Sequence, residues 1–89
     1  MSATVAAWAG STPATRLATA ELLLRTLRSK IRTALTIGDA RRRSAELTKV
    51  ANSLRDITGP LAEDALRLAR QVEDCAAYGG VAALAREVR

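Results

Sequence analysis

The chain has 89 residues, which is enough for one small domain, and 48% of them are hydrophobic although only 2% are aromatic. It contains no histidine and a single cysteine, Cys75. This composition excludes histidine-based acid–base catalysis, an internal disulfide and metal sites built on several cysteines. We therefore expect a protein that is not an enzyme and that has no cofactor or metal site. Residues 16–56 carry a net charge of +6 and residues 57–89 one of −1, which together give the +5 of the chain, and such a basic region favours an acidic partner.

The first residues differ in composition from the rest of the chain. Residues 1–12 have no charged side chain, and we predict that they form an N-terminal arm anchored by Trp8, ahead of a helical domain over residues 13–89. The arm lacks the positive charge that opens a signal peptide, and no run of 18 apolar residues is present to cross a membrane. We therefore expect a cytoplasmic location.

The first predicted helix has capping residues at both ends. Thr12 is expected to be its N-cap, with Pro13 at the first helical position, and the helix should end near Ile37 with Gly38 in a left-handed conformation. Its main apolar stripe follows spacings of three and four residues: Leu17, Ala20, Leu24, Leu27, Ile31 and Ala34. Further leucines widen this stripe, so the helix is expected to pack on more than one neighbour: Leu22, Leu23 and Leu35.

Three further helices follow in the sequence. Asp39 is predicted to cap the second helix, and Gly59 to end it before Pro60 opens the third. The buried side of the second helix is predicted from its spacing: Leu47, Val50, Ala51, Leu54 and Ile57. The third helix has a similar stripe: Leu61, Ala65, Leu68, Val72 and Cys75 or Ala76. Tyr78 is expected to pack at the end of the bundle, and a short fourth helix should follow Gly79 and Gly80 within residues 81–89.

The helical periodicity determines the predicted fold class. No stretch alternates with period two, as a half-buried β-strand would. The connections are short, and short connections join antiparallel neighbours in helical proteins. We predict an all-α protein, an antiparallel up-and-down four-helix bundle with three longer helices and a short C-terminal helix.

The outward face of the second helix is the candidate binding surface. A helical wheel places Asn52 almost opposite the buried side, with Ala45 and Thr48 beside it and charged residues around them. Small residues at the centre of a face let another protein approach closely. We therefore predict a partner-binding surface of eight residues: Arg41, Arg42, Ala45, Thr48, Lys49, Asn52, Arg55 and Asp56. The alternative interpretation is an ordinary solvated helix face.

The segment VANSLRDITGPL, residues 50–61, resembles the signature of histidine-containing phosphotransfer (Hpt) domains. That signature, Ala-His-x-Leu-Lys-Gly-x-x-Gly-x-Leu, lies on the second helix of a four-helix bundle. Several residues are in register with it: Ala51, Leu54, Arg55 in place of Lys, Gly59 and Leu61. The likeness extends over about residues 21–88, and further features match at Gly38-Asp39, Val72-Glu73 and Gly79-Gly80.

Two departures from the Hpt signature concern its reactive position. Asn52 stands where the family has its phosphorylated histidine, and Asp56 stands where a glycine keeps that site open. An amide nitrogen is not nucleophilic at neutral pH, so Asn52 cannot accept a phosphoryl group. The resemblance therefore implies a non-catalytic adaptor that binds a response-regulator receiver domain or a histidine kinase without phosphotransfer. A looser likeness of residues 52–55 and 60–61 to the dimerisation helix of histidine kinases indicates the same signalling systems.

Two other functions remain as alternatives. The extra leucines of the first helix would suit a small helical chaperone or adaptor subunit that holds a partner protein through apolar helix faces. The oligomeric state is left open. The cluster Arg41-Arg42-Arg43 would suit contacts with nucleic-acid phosphates, but the sequence offers few aromatic residues for base stacking, so nucleic acid is not the expected partner. Cys75 lies on an apolar stripe and is expected to be buried rather than reactive.

Overall fold

The computed structural model describes residues 12–89, which form four α-helices and contain no β-strand. The helices span α1 (Pro13–Ala34), α2 (Ala40–Arg55), α3 (Ala62–Tyr78) and α4 (Val81–Glu87). The all-α class is confirmed for this part of the chain, as are the three longer helices followed by a short one. The predicted arm, including Trp8 but not Thr12, lies outside the described residues.

Helix α1 begins as the sequence predicts but ends earlier. The Thr12 hydroxyl accepts a hydrogen bond from the Thr15 backbone N–H at 3.1 Å, and Pro13 occupies the first helical position. After Ala34 the chain tightens, and the Ile37 N–H donates to the Ala34 carbonyl at 3.1 Å. Because this tight turn ends the helix, no left-handed residue is needed, and the left-handed conformation predicted for Gly38 is wrong.

Helices α2 and α3 are separated by a longer turn than the sequence suggests. Asp39 caps α2, since its Oδ1 accepts from the Arg41 N–H at 3.2 Å. The helix ends at Arg55, and Gly59 reverses the chain at a φ of 84°. Pro60 lies within this turn, so the prediction that it opens α3 is wrong, and α3 begins at Ala62.

The hydrophobic core lies between α2, α3, the second half of α1 and the end of α4. Every position predicted on the buried side of α2 is buried. The largest fully buried side chains come from α1, α2, α3 and the residue that follows α4: Ile31, Leu47, Leu54, Val72 and Val88. The core is therefore aliphatic, as a composition with so few aromatic residues requires.

Polar contacts show which helix ends lie side by side. The Ser44 hydroxyl donates to the Ala76 carbonyl at 2.9 Å, so the start of α2 lies beside the end of α3. The Arg32 Nη1 group donates to the Val88 carbonyl at 2.6 Å, so the second half of α1 lies against the residue that follows α4.

No helix within residues 12–89 combines the length and apolar character that a membrane crossing requires.

Some apolar side chains expected in the core are exposed instead. Tyr78 is 88% exposed, because it lies roughly 100° around α3 from the buried stripe, so the prediction that it packs at the bundle end is wrong. In the first half of α1, Leu17, Leu22 and Leu23 are 39%, 59% and 44% exposed. Ala20 is buried, but the stripe of α1 joins the contiguous core cluster only from about Leu24 onwards.

Candidate functional site

All eight residues of the predicted binding surface are exposed to solvent: Arg41, Arg42, Ala45, Thr48, Lys49, Asn52, Arg55 and Asp56. The first seven lie on α2 and Asp56 is its C-cap. The opposite side of the helix is buried through Leu47, Val50 and Leu54. The predicted outward direction of Asn52 is therefore confirmed.

The structure divides this surface into two parts on different flanks of α2. Arg42 and Lys49 line a groove between α1 and α2, which we call the α1–α2 groove, with Lys30 of α1 on the other side. Arg55 instead contacts Glu73 of α3. The predicted residues consequently do not act as one continuous ring of cations.

The residues on the α3 side form what we call the Asn52 face: Arg41, Ala45, Thr48, Asn52 and Arg55. Its central residues, Ala45, Thr48 and Asn52, have short side chains and are exposed. The Thr48 hydroxyl donates to the Ser44 carbonyl of its own helix at 2.9 Å, so this polar group is already satisfied within α2. A partner approaching the face therefore meets a methyl group and short side chains rather than an unpaired hydroxyl.

The Asn52 side chain belongs to a chain of contacts that connects α2 with α3. Arg55 donates from Nη1 to the Asn52 Oδ1 atom at 3.2 Å. Its Nη2 group forms an ion pair with the Glu73 carboxylate. The guanidinium thus bridges the two helices and leaves the Asn52 amino group as the outward donor of that side chain.

The same contacts shift the acid–base equilibria of the bridging pair. The hydrogen bond from Arg55 lowers the pKa of Glu73, with partial desolvation acting in the opposite direction and the positive charge of Arg55 reinforcing the decrease. The hydrogen bond to Glu73 likewise raises the pKa of Arg55. Since both side chains are on the surface, their attraction is screened, and we assign it a positioning role rather than a large contribution to stability.

A second carboxylate pairs with a second cation of the predicted surface. Lys49 Nζ lies 3.2 Å from Glu46 Oε1 on the same helix. Among residues 12–89, Arg41 and Arg42 form no such ion pair. These two arginines are therefore the cations on α2 best placed to attract an acidic partner.

The sequence analysis did not include either carboxylate in the site. Glu46 was identifiable because it precedes Lys49 by three residues, a spacing that brings two side chains together on a helix. Glu73 was noted only as part of the Hpt likeness, and its pairing with Arg55 depends on how α2 packs against α3.

The single cysteine of the chain lies on the buried side of α3. Cys75 is buried, and desolvation raises the pKa of its thiol, although the charge of Arg43 acts in the opposite direction. A buried thiol with a raised pKa is a poor nucleophile. Within the described part of the chain, no group of three or more carboxylate or cysteine side chains is placed to hold a metal ion.

Comparison with known proteins finds no family model, no curated protein and no solved structure that matches the chain. The likeness to Hpt domains accordingly depends on the residues of the signature and on the position of Asn52.

Proposed function

We propose that the protein is a non-catalytic, Hpt-like adaptor that binds a receiver domain or a histidine kinase through the Asn52 face. The observation that carries this proposal is the exposure of Asn52 on α2, beside small residues. The sequence resemblance aligns this position with the histidine of the Hpt signature. The proposed location is the cytoplasm. Without a nucleophile at this position, binding would occur without phosphoryl transfer.

The proposal includes an antiparallel up-and-down arrangement of the four helices. The hydrogen bond from Ser44 to Ala76 supports opposite directions for α2 and α3. The hydrogen bond from Arg32 to Val88 supports closure of the bundle between α1 and α4. Such a bundle would hold the Asn52 face on a rigid helix.

Electrostatics suggest how a partner would approach the face. Arg41 has no ion pair among residues 12–89, whereas Arg55 is paired with Glu73. Arg41 is therefore the cation of the Asn52 face that would steer an acidic rim towards it, and such steering acts mainly on the association rate. Asp56 at the end of α2 would oppose an acidic partner.

Binding can be tested with purified receiver domains and histidine kinases from the same genome. We expect at least one of them to bind the full chain, and Arg41→Glu to slow its association about tenfold, because a steering cation becomes an anion. Thr48→Arg should abolish binding by filling the centre of the face, whereas the matched charge reversal Arg16→Glu on α1 should leave it unchanged. If none of these proteins binds, or if the Thr48 variant binds normally, the proposal is wrong.

The proposed likeness of the site to Hpt domains has a separate chemical test. We expect Asn52→His combined with Asp56→Gly to accept a phosphoryl group from the aspartyl phosphate of a bound receiver domain, because an imidazole nitrogen would then replace the amide. Asn52→Gln with the same Asp56 change is the matched control and should remain unlabelled. Failure of the histidine variant to take up label, although it binds the receiver, would contradict the Hpt likeness.

The exposed leucines of α1 favour a second candidate function. Leu17, Leu22 and Leu23 are each more than a third exposed, as expected of a helical adaptor subunit that holds a partner through an apolar face. This function predicts that Leu22→Gln with Leu23→Gln prevents partner binding while leaving the Asn52 face intact. A stable monomer that binds its partner equally well with and without these leucines would exclude it.

A further inference from the structure

The α1–α2 groove lies on the other flank of α2 from the Asn52 face. It is an open groove of about 590 Å³ that runs from Arg42 to Ser53 along α2. These 12 residues are separated by 11 helical steps, which correspond to a length of roughly 16 Å, or about three turns of helix. The groove is therefore long enough to hold a third helix laid between α1 and α2.

Cations dominate the charges of this groove. Lys30, Arg42 and Lys49 line it, and Glu46 is the single carboxylate among its lining residues. Because Glu46 pairs with Lys49, the charges of Lys30 and Arg42 are left without an ion-pair partner among residues 12–89. These two cations lie on opposite walls, one on α1 and one on α2.

Two of the hydroxyl groups that line the groove already have hydrogen-bond acceptors and need none from an occupant. The Thr33 hydroxyl donates to the Ser29 carbonyl at 3.2 Å, and the Ser53 hydroxyl donates to the Lys49 carbonyl at 3.2 Å. Both donors are therefore satisfied within their own helices. The floor consists of apolar side chains: Leu27, Ala34, Ile37 and Val50.

We propose that the α1–α2 groove binds an acidic amphipathic helix of a partner protein, with carboxylates on both edges of that helix facing Lys30 and Arg42. The apolar side of the helix would lie over the floor. The charge complementarity across both walls selects this occupant over a neutral or basic one. The groove carboxylate and the lack of aromatic side chains among the lining residues disfavour nucleic acid. This site goes beyond the proposed function, because it uses a different flank of α2.

A synthetic acidic peptide provides a direct probe. A peptide of about 14 residues is designed as an amphipathic helix, with leucine and alanine on one side and glutamate on both edges, and is titrated into the isotope-labelled full chain at low salt. We expect NMR shift changes concentrated on the lining residues of the groove. Raising the ionic strength to about 0.5 M should weaken binding, because the charges on the rim are screened.

Variants separate this site from the Asn52 face. Lys30→Glu combined with Arg42→Glu should weaken peptide binding at least about tenfold, and Lys30→Gln with Arg42→Gln should have a smaller effect in the same direction. Arg16→Glu is the matched control. Thr48→Arg, which should abolish receiver binding, is expected to leave peptide binding unchanged, so that failure of one proposal does not resemble failure of the other.

Several results would overturn the groove proposal. Absence of shift changes at low salt would do so, as would shifts located outside the groove or affinity unaffected by the charge reversals. Equal binding of a control peptide in which glutamine replaces glutamate would show that charge does not select the occupant. Tighter binding of a single-stranded oligonucleotide at the same residues would identify a nucleic-acid site instead.

Discussion

Arg55 shows how an exposed cation becomes part of the protein's own structure. Its guanidinium contacts Asn52 on the same helix and Glu73 on α3. At a distance, the neighbouring carboxylate cancels most of its field, so Arg55 contributes little to steering an acidic partner. We therefore regard it as a positioning residue that orients the Asn52 amide, while Arg41 supplies the attraction at the Asn52 face.

The Glu73 contact predicts a specific pH dependence of stability. Because folding lowers the pKa of Glu73 from its ordinary value of 4.5, the folded state binds its proton more weakly than the unfolded state. The contact therefore stabilises the fold above that value and is lost as the pH falls through the lower folded pKa. Glu73→Gln should remove this part of the acid dependence, as measured by urea unfolding at several pH values between about 5 and 3.

A matched variant distinguishes this effect from general acid sensitivity. Glu21 is an exposed carboxylate in the interior of α1 that forms no ion pair among residues 12–89. Glu21→Gln should keep the acid dependence of the original chain. Identical pH profiles for the original chain and Glu73→Gln would show that the Arg55 contact does not stabilise the fold.

At the scale of elements, the glycines at the helix ends differ in what they do. Gly59 has a φ of 84° in the turn between α2 and α3, a region that side chains with a Cβ rarely adopt. Gly38, between α1 and α2, is not in that region. The turn between α2 and α3 therefore requires glycine at position 59, whereas the turn between α1 and α2 does not require glycine at position 38.

This difference predicts opposite results for the same substitution. Gly59→Ala should reduce the free energy of unfolding by about 1–2 kcal/mol, because alanine is strained at positive φ. No atom lies within 4 Å of the added Cβ at either position, so crowding does not enter. Gly38→Ala should be neutral or stabilising by up to about 1 kcal/mol, because it restricts the unfolded chain. Urea unfolding of both variants measures the contrast, and equal destabilisation would contradict it.

Helix α1 also illustrates the limit of periodicity as a guide to burial. Its apolar spacing continues from Leu17 to Ala34, yet Leu27, Ile31 and Ala34 are buried while Leu17 is 39% exposed. The spacing of an apolar stripe specifies a helix and the direction of one face. It does not specify whether a neighbouring helix reaches far enough to cover that face.

At the scale of the whole molecule, stability depends on one small aliphatic core. Leu54 is fully buried and Leu22 is 59% exposed. Leu54→Ala should therefore lower the free energy of unfolding by about 2–5 kcal/mol, which is a large part of the total for a small domain. Leu22→Ala should change it by less than about 0.5 kcal/mol. Chemical denaturation tests both, and similar losses for the two variants would mean that Leu22 is covered in solution.

The shape of the molecule separates its candidate surfaces. Helix α1, with 22 residues, is roughly 33 Å long. The Asn52 face lies on the α3 side of α2, and the α1–α2 groove lies on the opposite flank. The exposed leucines lie in the first half of α1. Each surface is thus accessible to separate substitution, which allows the proposals to be tested independently.

The sequence by itself determined the helices, their N-caps at Thr12 and Asp39, the buried side of α2 and the outward direction of Asn52. These features follow from local rules, since capping needs only neighbouring backbone groups and helical spacing determines which residues share a face. The predicted C-terminal ends of α1 and α2 were less accurate, because both helices end in tight turns several residues before the glycines that were expected to terminate them.

Only the tertiary structure decided which charges remain available and which apolar residues are covered. The pairing of Arg55 with Glu73 joins residues on different helices, and the placement of Lys30 opposite Arg42 depends on the packing of α1 against α2. The exposure of Leu22 likewise depends on how far the neighbouring helices reach along α1. These properties arise from contacts between distant parts of the chain, whose geometry local spacing does not contain.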